Sequence, residues 1–177
     1  MRKTALFLFG LVLAVLATST GGGGTGTPTD GGSTTPSFTA TIGGVAVDIV
    51  LPNNDWSKGA VSTGKFTING PSGTIITVTP LPTAAGLGKS DMDKLCQDKL
   101  AEKANAATSG TKIIVSKNTE GVTYALRLYV AGSDVFFVGV SGTGSCGILL
   151  CAKVPATQKG VVQDALKSIL NAVALSD

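Results

Sequence analysis

Apolar and polar residues alternate along Val45-Ala46-Val47-Asp48-Ile49-Val50-Leu51, which places Val45, Val47, Ile49 and Leu51 on one face. A period of two predicts a strand. Pro52-Asn53-Asn54-Asp55 carries turn chemistry that ends it, and Trp56 follows. Residues 65–68 predict a short second strand, closed by Asn69-Gly70-Pro71-Ser72-Gly73, with 59–64 read as the loop before it. The β-branched run 74–79 predicts a third strand, stopped by Pro80 and Pro82.

The period then changes. Met92, Leu95, Cys96, Leu100, Ala104 and Ala107 recur at three- and four-residue steps, with Asp98, Lys99, Glu102 and Lys103 mainly outside the stripe. This predicts an amphipathic helix over 91–107, with Ser90 as N-cap. Asp91 and Asp93 fall in its first turn, where carboxylates suit the helix dipole. Three strands follow, over 112–116, 122–130 and 135–140. In the second, Tyr124, Leu126 and Leu128 oppose Ala125, Arg127 and Tyr129. The third is almost wholly apolar, the pattern of a central strand covered on both faces. Residues 145–153 fit either a further strand or an inserted loop. Val161, Val162, Ala165, Leu166, Ile169, Leu170 and Val173 share one helical face, which predicts a last helix over 161–175.

Short turns between strands require antiparallel neighbours, and two amphipathic helices must cover apolar sheet faces. The expected fold class is α+β: an antiparallel sheet of about six to seven strands with two packed helices, in the order β-β-β-α-β-β-β-(β)-α. This order, with a first strand ending in Pro52-Asn53-Asn54-Asp55-Trp56, a Ser90-started helix and a final helix over 161–175, resembles the PsbP-like superfamily. That superfamily includes DcrB-like and LpqN-like exported bacterial proteins. The resemblance spans about 38–177 and implies a non-enzymatic fold, often a tethered envelope protein or accessory subunit. It supplies no site residues, and residues 145–153 depart from its usual passage into the last helix.

The N-terminal part has a different texture. Met1-Arg2-Lys3 precedes 13 uncharged, apolar residues from Ala5 to Ala17. That run has the length of a secretory h-region and falls short of the roughly 20 residues that span a bilayer. Residues 1–17 are read as a signal peptide, with cleavage after Ala17 or Ser19; an uncleaved anchor is the alternative. The layout resembles a lipoprotein signal, but Ser19 stands where such a signal needs Cys. Residues 18–37 hold seven Gly, two Pro and many hydroxyls, so they are read as a disordered tether. Residues 38–177 are read as a single α+β domain.

Composition narrows the chemistry. The 177 residues include no His, which excludes a Ser-His-Asp triad, a Cys-His pair and any His-ligated metal. The formal charge of +3 falls to +1 once Arg2 and Lys3 are set aside, with twelve basic against eleven acidic side chains. No basic cluster remains, so nucleic acid is not an expected partner. Gly59-Ala60-Val61-Ser62-Thr63-Gly64-Lys65-Phe66 nearly spells a P-loop, but Phe66 replaces the hydroxyl residue that holds Mg²⁺. Ser62 and Lys65 fit S-x-x-K without its helix. Gly142-Thr143-Gly144-Ser145-Cys146-Gly147 matches G-x-G-x-x-G but lacks the following helix and parallel strand, so a Gly-rich turn explains it better. Asp91, Asp93, Asp98 and Glu102 lie along a helix that cannot wrap them round one cation, and read as a solvated face. Trp56, Tyr124, Tyr129, Phe136 and Phe137 are core candidates first and a ligand groove second.

Three cysteines in an exported chain invite pairing. Cys146 and Cys151 form the disulfide candidate, because their loop is short; in a straight strand they face opposite sides. Cys96 is expected buried as a core thiol, with pairing to a strand cysteine beneath it as the alternative. No catalytic residue, cofactor or metal site is assigned. The expected function is that of an exported, non-catalytic envelope protein that binds a small ligand or another envelope protein, with membrane proximity through the N-terminal segment. A small His-independent secreted hydrolase and an assembly subunit are the alternatives.

Overall fold

The computed structural model describes residues 35–107 and 109–177. The signal peptide read over 1–17, and the tether as far as residue 34, lie outside the described residues. Among the described residues ten strands form two antiparallel sheets, accompanied by two α-helices. In chain order the elements are β1 Ser37–Ile42, β2 Val45–Val50, β3 Ser57–Ser62, β4 Lys65–Asn69, β5 Ile75–Pro80, α1 Lys89–Ala104, β6 Thr111–Lys117, β7 Thr123–Ala131, β8 Asp134–Gly142, β9 Gly147–Pro155, α2 Lys159–Ala172 and β10 Ala174–Ser176. The small sheet runs β1-β2-β10 and the large one β3-β4-β5-β9-β8-β7-β6. The expected α+β antiparallel class is correct, although the strands divide between two sheets.

Tight turns set most of the neighbours. Gly43 and Gly44 join β1 to β2 at φ 56° and 85°, a pair of left-handed residues that matches the twist of a two-residue hairpin. Thr63-Gly64 joins β3 to β4, with Ser62 opposite Lys65. The long-range join is β5 against β9, where Thr77 lies opposite Cys151 and Val78 opposite Leu150. It unites β3–β5 with the β6–β9 meander.

The alternation read in the sequence becomes two cores. On β7, Tyr124, Leu126 and Leu128 face the larger core, which α2 and the small sheet cover. Ala125 faces the smaller core beneath α1, with Met92, Cys96 and Leu100. β8 is buried on both sides, as expected: Val135 and Phe137 enter the larger core, Val138 and Val140 the smaller.

Several local readings are corrected. Residues 57–62 form β3 rather than a loop; this edge strand carries almost no buried side chain, so no apolar period marks it. β1 was also unassigned, and Leu51 N–H donates to Pro36 O at 2.8 Å, so the sheet takes in Pro36 and Ser37. Residues 147–155 are strand β9. α1 starts at Lys89 with Gly88 as N-cap, so Ser90 is inside the helix and caps nothing. It ends at Ala104 because Asn105 turns left-handed at φ 49°, which leaves Ala107 exposed. α2 ends at Ala172, and Val161 is exposed. Residues 174–176 pair with β2 instead of extending the helix.

Two polar side chains lock the helices to the sheet. Asn118, in the β6–β7 turn, donates from Nδ2 to Leu170 O and Val173 O, and its Oδ1 accepts from Val122 N–H. It thereby satisfies carbonyls that the end of α2 would leave unpaired. Under α1, Arg127 is 8% exposed. Its Nε lies 2.8 Å from Asp93 Oδ1, and its Nη1 donates to Ser109 O.

Candidate functional site

α1 packs mainly on β7 and β8, and less on β6. On the same face of the large sheet, β9 and β5 lie beyond it. Opposed residues in antiparallel strands share a face, so Thr77, Cys151 and Val138 form one row across β5, β9 and β8. Phe136 and Lys153 form the next row. The last turn of α1 adds Lys103. Together these side chains bound a groove of about 220 Å³, lined by Thr77, Lys103, Phe136, Cys151 and Lys153. Thr77, Phe136 and Cys151 are half-buried, whereas both lysines are exposed.

Exposed ion pairs surround this groove. Lys153 Nζ lies 2.8 Å from Asp134 Oδ2 and 5.3 Å from the centre of the Phe136 ring. Lys103 Nζ lies 3.5 Å from Glu102 Oε1, while Lys99 Nζ lies 2.7 Å from Glu102 Oε2. The Lys99 hydrogen bond holds the Glu102 carboxyl below its ordinary range. Burial pushes the Cys151 thiol up to about 11. The groove therefore offers two lysine side chains, one aromatic ring and a protonated thiol. A protonated thiol is a poor nucleophile.

The cysteine expectation is corrected. All three cysteines are free. Cys146 belongs to the larger core and Cys151 packs against the smaller one, on opposite faces of the large sheet. The Cys146–Cys151 bridge does not form, because β9 runs as a regular strand and successive side chains alternate. Cys96 is buried as expected, with Sγ 3.2 Å from Val138 O; burial pushes its thiol up to about 12.

The aromatic set divides. Trp56, Tyr124 and Phe137 are core residues at 3% exposure or less. Phe136 lines the groove, and Tyr129 packs at the edge of the smaller core. The P-loop-like stretch is the β3–β4 hairpin, and its Ser62 and Lys65 are cross-strand partners rather than members of a helical turn. Of the acids, Asp98 pairs with Lys94, and Glu102 with Lys99 and Lys103. Asp93 departs from the expected solvated face: it turns toward Arg127 and Lys112, and the Arg127 hydrogen bond lowers its pKa from 3.8. Among the described residues no three Cys, Asp or Glu side chains converge on a point that could hold a metal ion.

The G-x-G-x-x-G stretch has a packing explanation. Gly142 and Gly147 are cross-strand partners at the β8–β9 turn, and the 3-10 turn Pro82–Ala84 presses on both. A Cβ on Gly142 would collide with Ala84 O, and one on Gly147 would lie 2.6 Å from Ala84 Cβ and 2.7 Å from Leu81 O. Glycine is needed for close approach of backbone, not for a phosphate. Gly142→Ala is expected to cost about 2–3 kcal/mol, the upper part of the range for overpacking. Equilibrium urea denaturation checks it, and an unchanged midpoint would contradict the steric account.

Lys103, Lys153 and Thr77 escaped the sequence reading. One signal was present: Lys153 interrupts the apolar run Ile148–Val154 with a charge.

No helix among the described residues is long and apolar enough to cross a membrane. No protein-family model matches the chain, and no curated protein matches it. Among solved structures, LpqN of Mycobacterium tuberculosis, described as involved in cell envelope biogenesis, is similar at 11% identity and a TM-score of 0.45, over 80% of this chain and 91% of LpqN. A protein of Bacteroides thetaiotaomicron VPI-5482 is similar at 12% identity and a TM-score of 0.43, over 74% of this chain. The chain matches only 45% of that protein's length. Neither likeness bears on the PsbP-like assignment.

Proposed function

We propose that this chain is an exported, non-catalytic binding module that takes a small ligand in the groove beside α1. One observation carries the reading: α1 leaves the Thr77–Cys151–Phe136 part of the sheet uncovered, and two lysines stand at that opening. An apolar floor with a few polar groups at its rim is the general form of a small-molecule site. Export rests on the basic-then-apolar N-terminal segment. Membership of the PsbP-like superfamily belongs to the same reading and rests on the element order.

An NMR-detected screen of mixed small fragments against the ¹⁵N-labelled protein tests it. Amide shifts are expected to cluster at Thr77, Phe136, Cys151 and Lys153. Thr77→Trp, which fills the groove, is expected to abolish them with its urea midpoint unchanged. Shifts that gather elsewhere, or that survive Thr77→Trp, would refute the assignment. A hydrolytic activity lost on one point substitution would refute the non-catalytic part.

A further inference from the structure

We infer that the groove selects a small monoanion with an apolar body, of the aryl or short acyl carboxylate class. This rests on the reading of the groove as the binding site. Size is the first constraint. About 220 Å³ lies below the roughly 300–1,000 Å³ of drug-sized pockets, so the ligand is on the order of ten heavy atoms.

Charge is the second. Two cations, Lys103 and Lys153, line the groove, and no carboxylate does; their partners Glu102 and Asp134 lie outside the lining. Neither lining lysine is held firmly. The Lys153–Asp134 pair is 58% and 38% exposed, and exposed pairs are weak. Glu102 is shared, with Lys99 at 2.7 Å and Lys103 at 3.5 Å, so Lys103 is the less satisfied of the two. A ligand carboxylate between Lys103 and Lys153 would gain charge-assisted hydrogen bonds from both.

Shape is the third. The Phe136 face and the Cys151 thiol give the apolar body a floor, and the Thr77 side chain closes one side. A neutral ligand would gain no charge-assisted hydrogen bond from the lysines, and a purely polar anion would gain no apolar contact with Phe136.

The test is an amide-shift titration of the ¹⁵N-labelled protein with phenylacetate, phenylacetamide and acetate. Phenylacetate is expected to move Thr77, Cys151 and Lys153 with a Kd of about 1 mM, the range open to so small a ligand. Phenylacetamide and acetate are each expected to bind at least about tenfold more weakly. Lys103→Met and Lys153→Met should each weaken phenylacetate several-fold, while Lys153→Arg retains it. Equal binding of phenylacetamide would overturn the anion inference and leave the groove as a site. Phenylacetate shifts located elsewhere, or none, would overturn the inference as well. Retained binding in the Lys103→Met, Lys153→Met double variant would do the same.

Discussion

Asp93→Ala is expected to destabilise the domain by about 3 kcal/mol, the lower end of the range for removing one partner of a buried ion pair. The Arg127 side chain is 10% exposed and that of Asp93 16%, so the substitution strands a guanidinium under α1 with Ser109 O as its one remaining acceptor among the described residues. The lower end applies because Asp93 is not fully enclosed and its second partner, Lys112, is 56% exposed. The double variant Asp93→Leu, Arg127→Met removes both charges and is expected within about 1 kcal/mol of the wild type. Urea denaturation of the three proteins decides. If Asp93→Ala alone costs less than about 1 kcal/mol, the pair does not hold α1 in place.

The same pair fixes an acid-side pH dependence. The Arg127 hydrogen bond depresses the folded-state pKa of Asp93 below its ordinary 3.8. Its contribution is therefore full above the unfolded-state value near 4 and is lost as pH falls through the folded value. Asp93→Asn should flatten that part of the stability curve and leave the slope near pH 7 unchanged. An equal loss of stability on acidification in both proteins would assign the acid sensitivity to other carboxylates.

Asn118→Ala is expected to cost about 2–3 kcal/mol, since three buried hydrogen bonds go and two carbonyls at the end of α2 lose their donor. Asn118→Asp should be worse. It keeps the acceptor for Val122 N–H but sets a carboxylate against Leu170 O and Val173 O, at the negative end of the helix dipole. Hydrogen exchange supplies a local check: β10, which begins at Ala174 just beyond Val173, should lose protection before β8 does. Equal stability of the Ala and Asp variants would show that Asn118 does not act through those carbonyls.

Residues whose burial follows a period were legible. The alternation of Tyr124, Leu126 and Leu128 against Ala125 placed β7 between two layers, and the apolar density of 135–140 marked β8 as covered on both faces. The Met92–Cys96–Leu100 stripe located α1. β3 was illegible because an edge strand with exposed side chains has no face to advertise. The end of α2 was misjudged because Val173 and Leu175 satisfy helical spacing equally well. The donor that ends the helix, Asn118, lies more than 50 residues away along the chain. The groove was half legible: Phe136 was a candidate, but its neighbours come from three other elements.

By itself the sequence determined the α+β class, the alternation along β2 and β7, most of the stripe of each helix and the absence of His chemistry, because these depend on residue type and on a period of two or 3.6. Tertiary structure alone decided the β5–β9 pairing, the inward turn of Asp93, the separation of Cys146 from Cys151 and the place where α1 stops. Periodicity records that a face is buried, not what buries it. The energy of a cross-strand pair or a buried charge belongs to two distant residues together, and neither shows in the local pattern of the other.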